Sequence, residues 1–393
     1  MTKNSIKKIP RLRFKGFEGE WNRSKLRNLG TFQAGGDVDK NKLKSKGNYP
    51  VIANNLSNQG IIGYYDNTYK IDEPALTITG RGTVGVAKSR YYKFTPVVRL
   101  LVFKSKLDLK FSELSINNLN IFNESTGVPQ LTSPQMGSYD ILYPKLNEQE
   151  KIGSFFAKLD QLIDLQSKKV EQLKKLKRGY LQKMFPQKGE SVPRLRFNGF
   201  SGEWKDNSLL NLGETFTGLS GKNKNDFGHG DAQYVTYKNV YLNTILSKNM
   251  NENVEIDDKQ NKVQKGDIFF TTSSETPYEV GLSSVLTYNQ SNLYLNSFTF
   301  GYRPNIKFNN YFIGYLLRSN GIRKKIYPLA QGISRYNLSK KSFIKMHIRY
   351  PSLSEQNAIG NLFKNISKDL LNQNNKLQYL KKLKKAYLQK IFC

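Results

Sequence analysis

The feature that most constrains this chain is a proline-free stretch of 39 residues, Asn147–Phe185. Apolar and aromatic residues recur along it at alternating spacings of four and three. This is the heptad pattern of a helix that packs lengthwise against another helix. At a rise of about 1.5 Å per residue, the helix would be roughly 58 Å long. The pattern therefore predicts a second long helix as a partner.

The same heptad pattern returns 207 positions later (359 − 152). Its polar interruptions return too, because Gln166 matches Gln373 and Lys177 matches Lys384. A polar seam residue can set the register of a helix pair, or it can simply lie at the edge of the seam; the sequence leaves both interpretations open. The predicted seam residues are Ile152, Phe156, Leu159, Ile163, Leu173 and Tyr180, matched by Ile359, Phe363, Ile366, Leu370, Leu380 and Tyr387.

Other segments are duplicated as well. Pro10–Trp21 returns as Pro193–Trp204, offset by 183 positions (193 − 10), and Tyr180–Phe185 returns as Tyr387–Phe392, offset by 207 (387 − 180). Such repetition indicates two copies of one structural unit. The middle of the second copy is longer by 24 residues (207 − 183). Matching ends around unlike centres predict a common scaffold that presents two different binding surfaces.

Each centre contains short strand-like runs separated by turn residues, among them Ala75–Thr79 in the first copy and Leu293–Gly301 in the second. Residues 111–122 and 311–327 are predicted to be helical. We therefore predict the α+β class: two globular domains related by a pseudo-twofold internal duplication and joined by two long antiparallel coiled-coil helices. The predicted domains are 1–146, 147–187 (helix and linker), 188–353 and 354–393.

The starts of the long helices carry capping signals. Asn147 and Ser354 are the predicted N-caps, since their side chains can accept from the first free backbone N–H groups. Glu148, Glu150 and Glu355 follow directly, and acidic residues suit the positive end of a helix dipole.

The net charge of +31 bounds the choice of partner. A chain with that excess repels itself unless a polyanion is its natural partner, so DNA, RNA and anionic membrane are the candidates. Membrane fits worst, because no apolar run approaches the length of a span. The first residues are too polar for a signal peptide, and we expect a cytoplasmic protein. One cysteine, Cys393, and two histidines leave little for disulfides, metal sites or histidine catalysis.

No catalytic constellation emerges, and we assign neither catalytic nor metal-binding residues. Gly80–Gly85 satisfies G-x-G-x-x-G, but a strand-like segment follows it where a dinucleotide site needs a helix. A tight hairpin that projects Arg81 and Thr83 is the better interpretation. The chain lacks a Walker A lysine motif and the Asn-Pro-Pro-Tyr type of loop that an amino-methyltransferase needs. Glu255–Lys259 lacks a partner carboxylate for a metal nuclease and is interpreted as a solvated turn.

What remains is binding through loops that differ between the copies. Arginine, asparagine and glutamine favour base edges, whereas lysine, serine and threonine more often hold phosphates. A solvated loop position is the competing interpretation for each residue. The candidates are Asn54, Asn55, Arg81, Thr83, Lys88, Arg90 and Gln130 in the first copy, and Lys222, Lys238, Ser273, Ser274, Glu275, Tyr278 and Arg335 in the second.

The duplicated plan resembles the specificity (S) subunit of type I restriction–modification systems. Three paired features carry the resemblance over nearly the whole chain: the Pro-x-x-Arg-Phe…Gly-x-Trp openings at 10–21 and 193–204, the Tyr-Pro-x-Leu-x-Glu-Gln junctions at 143–149 and 350–356, and the helices ending in Tyr-Leu-Gln-Lys-Met/Ile-Phe. The resemblance implies two target recognition domains, each reading one half of a split site in double-stranded DNA, and helices that set the gap.

The resemblance also implies partners. Modification subunits would bring S-adenosylmethionine and the methyltransferase site, and restriction subunits would bring ATP and Mg²⁺ for translocation and cleavage. This chain would hold no cofactor and would not itself be an enzyme. We place the subunit interface on the two long helices, at the seam residues named above. The recognition bodies are the variable part of the family, so no contact residue is carried over by motif.

Two other functions compete with this one. A self-sufficient nuclease or methyltransferase with an unfamiliar site would act on DNA without partners, and the missing motifs speak against it. A non-specific basic coiled-coil scaffold that binds nucleic acid or membrane would show affinity set by salt, with no sequence preference.

Overall fold

The computed structural model describes residues 9–72, 74–121 and 128–392. It divides into two compact units. The first contains the chain up to Ser167 and the chain from Asn375 onward, and the second contains Lys168–Asn374. Both long helices cross this boundary, so each unit combines one globular body with parts of both helices. The predicted α+β class, with its duplication and two long helices, is confirmed.

The body of the first unit holds one four-stranded antiparallel sheet and two smaller sheets. In chain order its elements are β1 (Asn22–Lys25), β2 (Gly30–Ala34), β3 (Tyr49–Ile52), β4 (Ile61–Tyr65), β5 (Ala75–Thr79), β6 (Ala87–Arg90), β7 (Thr95–Pro96), β8 (Leu100–Ser105), α1 (Leu109–Asn117), α2 (Ser133–Ser138) and β9 (Asp140–Tyr143), followed by the long helix α3 (Leu146–Lys183). The sheets have the strand orders β2-β8-β5-β6, β4-β3-β7 and β1-β9.

The body of the second unit repeats this plan with additions. Its elements are β10 (Lys205–Ser208), α4 (Leu209–Leu212), β11 (Gly213–Thr217), β12 (Phe227–Val235), α5 (Tyr237–Leu242), β13 (Asn251–Val254), β14 (Ile268–Thr271), β15 (Ser273–Ser274), β16 (Ser283–Val285), β17 (Leu293–Leu295), β18 (Thr299–Pro304), α6 (Asn310–Leu317), α7 (Asn320–Ile326), β19 (Ala330–Gln331), β20 (Tyr336–Leu338), α8 (Lys340–Ile344) and β21 (His347–Tyr350), followed by the long helix α9 (Leu353–Ile391). Its sheets are β11-β18-β14-β16, β13-β12-β17, β15-β20-β19 and β10-β21.

The duplication extends to strand register. Asn22 pairs with Tyr143 across β1 and β9, and the matching residues Lys205 and Tyr350 pair across β10 and β21. The central strands β5 and β14 are buried along their whole length, since each lies between two neighbours with both faces covered. In β14 this burial suits the apolar run Ile268–Phe270, whereas in β5 the buried Thr77 and Thr79 hydroxyls donate to backbone carbonyls.

Three sequence-predicted elements differ in detail. Residues 311–327 form two helices, α6 and α7, because Ser319 between them adopts an extended conformation. Leu293–Gly301 forms two strands that belong to different sheets. The helix predicted over 111–122 ends at Asn117, and residue 122 lies outside the described residues.

The long helices match their predicted extents closely, but the predicted caps are wrong. The helices begin at Leu146 and Leu353, one residue before Asn147 and Ser354. Both of those residues therefore lie inside the first turn. The Oγ of Ser352 instead accepts from the Glu355 N–H at 3.4 Å, which is the role of an N-cap residue.

The acidic residues in the first turn do more than face the helix dipole. Glu148 and Glu355 are buried, and each carboxylate accepts two hydrogen bonds from one guanidinium of an opening segment. Arg13 donates to Glu148 at 2.8 and 2.7 Å, and Arg196 donates to Glu355 at 2.7 and 2.8 Å. These forked pairs attach each Pro-x-x-Arg-Phe segment to the start of its long helix.

The glutamine that ends each junction motif attaches the helix to the body. Gln149 accepts from the Asp108 N–H at 3.0 Å and donates to the Pro144 carbonyl at 2.8 Å. Gln356 repeats both bonds with Asn309 and Pro351. Asp108 and Asn309 are themselves the N-caps of α1 and α6, so one side chain fixes the orientation of two helices.

The end of each long helix packs on the body of the other sequence copy. Phe392, which ends the second copy, lies 5.5 Å from Phe111 and 6.1 Å from Trp21, ring centre to ring centre, in the first unit. Phe185, which ends the first copy, lies 5.8 Å from Phe312 in the second unit. Within each unit the two helices run antiparallel.

The seam prediction is confirmed as a packing pattern but not as a subunit interface. Ile152, Phe156 and Leu159 are buried inside the first unit, so they cannot face another subunit; Ile359, Phe363 and Ile366 are buried likewise. The other six seam residues are half-buried. Leu146 and Leu353, the first residue of each long helix, are exposed. Beyond them, the exposed apolar side chains of the two helices are Leu162, Leu165, Leu176, Leu371 and Tyr379.

Candidate nucleic-acid interface

The candidate interface in each unit is the loop that follows the central strand. In the first unit, the Thr79 hydroxyl donates to the Thr83 carbonyl at 2.5 Å and accepts from the Val86 N–H at 3.0 Å. The Gly85 N–H also donates to the Thr79 carbonyl at 2.7 Å. Gly85 has a φ of +83°, which side chains other than glycine rarely adopt. This small network closes a tight hairpin between β5 and β6, as the sequence predicted for Gly80–Gly85.

The second unit closes its loop with the same device. The Thr271 hydroxyl donates to the Glu279 carbonyl at 3.3 Å and accepts from the Leu282 N–H at 3.0 Å. The Gly281 N–H donates to the Thr271 carbonyl at 3.0 Å. Ten positions separate Thr271 from Gly281, against six between Thr79 and Gly85. The two bodies thus hold loops of different length with the same threonine–glycine anchor, formed by Thr79 and Gly85 in the first unit and by Thr271 and Gly281 in the second.

The other side of each loop is also held in the same way. Arg81 forms a β-bridge with Gln130, and Ser273 pairs with Asn337 at the matching position. These pairings lie just before α2 and α8, so each loop is supported by a second segment of its body. In the first unit this support brings the predicted residues Arg81 and Gln130 together.

The first-unit candidates fall into two groups. Arg81, Thr83 and Gln130 are exposed around the loop. The Asn54 side chain accepts from the Gly80 N–H at 2.7 Å and donates to the Val98 carbonyl at 3.1 Å, so it positions the loop. Asn55 lies next to it and is exposed.

The prediction for Arg90 is wrong. Its side chain is 4% exposed and donates to the Thr77 hydroxyl, the Tyr92 hydroxyl and the Gln59 carbonyl. A guanidinium committed to these three partners braces the sheet and has no free edge for DNA. Lys88, on the same strand, is exposed and stays a candidate.

The second-unit candidates lie around the longer loop. Glu275 and Tyr278 are exposed on it, and Arg335 is exposed at the tip of the β19–β20 hairpin beside it. Lys238 is exposed on α5, whose Tyr237 hydroxyl donates to the Ser273 carbonyl at 2.8 Å. Ser273 is half-buried on the loop itself. The structure therefore brings five predicted residues, from three separate segments, to one surface.

Two second-unit predictions are corrected. Ser274 is buried, and its hydroxyl donates to the Glu279 carboxylate at 3.0 Å, so it shapes the loop from inside. Lys222 is half-buried and pairs with Asp257 at 2.8 Å, so its charge is already compensated within the chain. Neither side chain is available for a phosphate in this conformation.

Sequence reasoning missed several aromatic residues at this surface. Tyr237 and Tyr241 stack with their ring centres 6.1 Å apart, and the Tyr241 hydroxyl donates to Glu279 at 2.6 Å. Hydrogen bonds from Tyr241 and Ser274 hold the pKa of Glu279 below its ordinary value. The i, i+4 spacing of the tyrosines on a helix was the available signal. Ile333, at the hairpin tip, is 95% exposed and had no signal in the sequence.

In the ranges 9–72, 74–121 and 128–392, no group of three or more histidine, cysteine, aspartate or glutamate side chains could hold a metal ion. Over those ranges no helix combines the length and the apolar character needed to cross a membrane.

A common scaffold, repeated with a different loop at the same strand end, defines a tandem recognition protein. Comparison with known proteins identifies the class. The family model for the type I restriction modification DNA specificity domain matches residues 18–175 and again residues 202–382. The chain belongs to this family and carries two copies of its domain.

Relatives in Mycoplasma pneumoniae are similar over part of the chain. The protein named "Putative type I specificity subunit S.MpnORF89P" is 28% identical over 122 residues, which are 29% of this chain and 36% of that protein. A second protein of the same description, S.MpnORF507P, is 27% identical over 146 residues, which are 35% of this chain and 39% of the relative. The chain thus aligns with less than half the length of each.

Solved structures extend the likeness to the whole fold. The crystal structure of a type I restriction–modification system S subunit from M. genitalium matches with a TM-score of 0.65 at 14% identity, covering 98% of this chain and 99% of that one. A structure described as showing complex assembly and conformational transition of the type I R-M system matches with a TM-score of 0.51 at 15% identity, covering 95% and 97%. At these identities the likeness concerns the fold.

Proposed function

We propose that this chain is the DNA-specificity subunit of a type I restriction–modification complex. Each body reads one half of a bipartite site in double-stranded DNA, and the long helices set the gap between the halves. One observation carries the proposal above the others: two loops of different length and sequence are held on the same threonine–glycine anchor in duplicated bodies. Such an arrangement suits the recognition of two unlike sequences by one scaffold.

The proposed chemistry of recognition follows from the side chains at each loop. Arg81 and Gln130 suit guanine and adenine edges in the major groove. Glu275 suits the amino group of cytosine, and Tyr278 suits stacking or apolar contact. Lys88, Lys238 and Arg335 suit phosphates and supply affinity that depends on salt. The net charge of +31 supports a polyanionic partner.

We propose that the chain is not itself an enzyme. Modification subunits would supply S-adenosylmethionine and the methyltransferase site, and restriction subunits would supply ATP- and Mg²⁺-dependent cleavage. Their docking surface on this chain would include the outward face of the long helices, where Leu162, Leu165, Leu176, Leu371 and Tyr379 are exposed.

Methylation mapping tests the proposal. The chain is expressed with a modification subunit from the same genome, and the DNA is sequenced for N6-methyladenine. We expect one motif with two specified halves and an unspecified gap. An assembled complex that methylates nothing would contradict the proposal. A complex that binds all sequences equally, with an affinity set only by salt, would support the non-specific scaffold instead.

A body exchange then assigns the halves. Replacing residues 22–142 by the corresponding segment of another family member is expected to change one half of the motif and leave the other intact. Replacing residues 205–349 is the matched experiment and should change the other half. An exchange that alters both halves, or neither, would contradict the assignment of one half-site to each body.

A further inference from the structure

The loop of the second unit lies directly over a buried arginine on α7. Arg323 is 4% exposed. One terminal nitrogen donates to the Gly281 carbonyl at 2.6 Å, and the other donates to the carbonyls of Tyr278 and Val280 at 2.9 and 2.6 Å. All three acceptors belong to the loop or its closing glycine. One side chain thus determines the path of the backbone at the end of the loop.

Over the described part of the chain, Arg323 takes part in no ion pair, so no carboxylate described there compensates its charge. Burial lowers the pKa of Arg323, although the nearby Tyr327 opposes that shift. Burying an arginine without an anion is costly unless every donor finds an acceptor. The loop carbonyls accept three hydrogen bonds from its two terminal nitrogens, so the loop conformation and the burial of Arg323 depend on each other.

The arrangement continues to an exposed aromatic ring. The guanidinium carbon of Arg323 lies 5.0 Å from the centre of the Tyr327 ring, within cation–π distance. The Tyr327 ring meets the Tyr278 ring edge to face, with their centres 5.2 Å apart. Tyr278 is 68% exposed at the candidate interface. Arg323 therefore holds this tyrosine twice, by its carbonyl directly and by its ring through Tyr327.

We propose that Arg323 is a positioning residue that fixes the second-unit loop and so sets the fidelity of the half-site that this loop reads, without itself touching DNA. The inference rests on the proposed function and makes it more specific. A prearranged loop discriminates between bases because a wrong base cannot be accommodated by a small shift of the backbone. The five-residue loop 80–84 is closed within a tight hairpin and has no such support from a buried arginine in the described contacts.

Methylation mapping with four variants tests the inference. Arg323→Gln removes both the guanidinium, with its hydrogen bonds to the loop, and the positive charge. Arg323→Lys keeps the charge but lacks the two terminal nitrogens of the guanidinium. Tyr327→Leu removes only the aromatic ring between Arg323 and Tyr278. Arg318→Gln is the control: Arg318 is half-buried in the same unit, but it donates to the carbonyls of Ser283, Val240, Tyr241 and Asn243, outside the loop. Each variant is co-expressed with the modification subunit. The fraction of methylated DNA is then measured at sites that differ from the motif by one base pair.

We expect Arg323→Gln to raise methylation at sites mismatched in one half of the motif by about tenfold, the discrimination of one good base contact. Arg323→Lys should relax the same half by a smaller factor. Sites with a mismatch in the other half of the motif should remain as poorly methylated as with the wild-type chain. Should Arg323→Gln fail to fold, Tyr327→Leu still tests the inference, because it is expected to relax the same half while leaving the buried arginine bonded.

Two results would overturn the inference. One is unchanged rejection of mismatches in both halves by folded Arg323 and Tyr327 variants. The other is an equal relaxation by Arg318→Gln, which would show that general destabilisation of the body is enough. Failure of the proposed function is distinguishable from both, since the wild-type complex would then show no bipartite motif at all.

Discussion

At the scale of single residues, the repeated seam lysines meet different partners. Lys384 pairs with Asp160 at 2.5 Å, and Lys110 pairs with the other oxygen of that carboxylate at 2.9 Å. Lys177, at the matching position, donates to the Ser367 hydroxyl at 3.0 Å. Each lysine has a defined partner within its own unit, which supports the register interpretation over a position at the seam edge.

Asp160→Asn should reveal the contribution of this ion pair through its pH dependence. Burial alone would raise the pKa of Asp160, but bonds from Lys384 and Lys110 outweigh it and hold the pKa below its ordinary value. The stabilisation is therefore present above the unfolded pKa of about 3.9 and is lost as the pH falls through the folded value. We expect the variant to be about 1 kcal/mol less stable than the wild type at pH 7. This difference in the free energy of unfolding should become smaller towards pH 3.

Trp21 fluorescence in urea, in a Trp204→Phe background, measures this stability for the first unit alone, since the chain has two tryptophans. Ser112→Ala is the control, because Ser112 also lies in the first unit, where its hydroxyl donates to the Asp108 carbonyl at 2.9 Å. A hydroxyl does not titrate in this range, so its effect should not depend on pH. If Asp160→Asn lowers the free energy of unfolding equally at pH 7 and pH 3, the loss is not electrostatic.

At the scale of elements, the ends of the long helices belong to the unit that they reach rather than to the copy that encodes them. The Leu12 N–H donates to the Lys390 carbonyl at 3.0 Å, and the Leu195 N–H donates to the Lys183 carbonyl at 2.8 Å. Each opening segment is thus paired with the last turn of the helix from the other copy. The repeated Tyr-Leu-Gln-Lys-x-Phe sequence is a closing element for a body.

Phe185→Ala should therefore destabilise the second unit, although Phe185 lies in the first sequence copy. Truncating a buried phenylalanine costs about 3 kcal/mol, or roughly a hundredfold faster amide exchange where exchange follows unfolding of that unit. Hydrogen exchange should rise in β10 and α6 and stay unchanged in β1 and α1. Phe392→Ala is the matched variant and should give the reverse pattern. Faster exchange in β1 and α1 on changing Phe185 would contradict this assignment.

At the scale of the whole molecule, both units depend on both long helices. The boundary between the units falls after Ser167 in α3 and after Asn374 in α9. The helices are continuous across it, and their lengths are nearly equal, 38 and 39 residues. An element shared in this way is suited to fix a distance, which is the role proposed for it in setting the gap.

Inserting one heptad after Ser167 and another after Asn374 should lengthen the gap and leave both half-sites unchanged. Seven residues preserve the seam and add about 10 Å of helix, roughly three base pairs of DNA. Methylation mapping gives the gap directly. A single insertion, in α3 alone, is the control and should impair assembly because the two helices no longer match. An unchanged gap in the double insertion would argue against the spacing role.

The sequence by itself determined the duplication, the two long helices, the central strands and the loops that differ between the copies. These features depend on local patterns: heptad spacing, short strand-like runs, glycine-rich turns and repeated segments. Such patterns can be recognised without knowledge of tertiary contacts, because backbone geometry determines which spacings place residues on the same face of a helix or strand.

Only the tertiary structure decided which polar side chains are available. Arg81 and Arg90 look alike in the sequence, yet Arg81 is exposed on a hairpin and Arg90 is buried at the end of strand β6. Arg13 and Glu148 are 135 positions apart, and Arg323 meets a loop more than 40 positions away. An arginine's own sequence neighbourhood does not reveal whether its guanidinium will meet water, a carboxylate or a row of carbonyls, because packing between distant segments makes that choice.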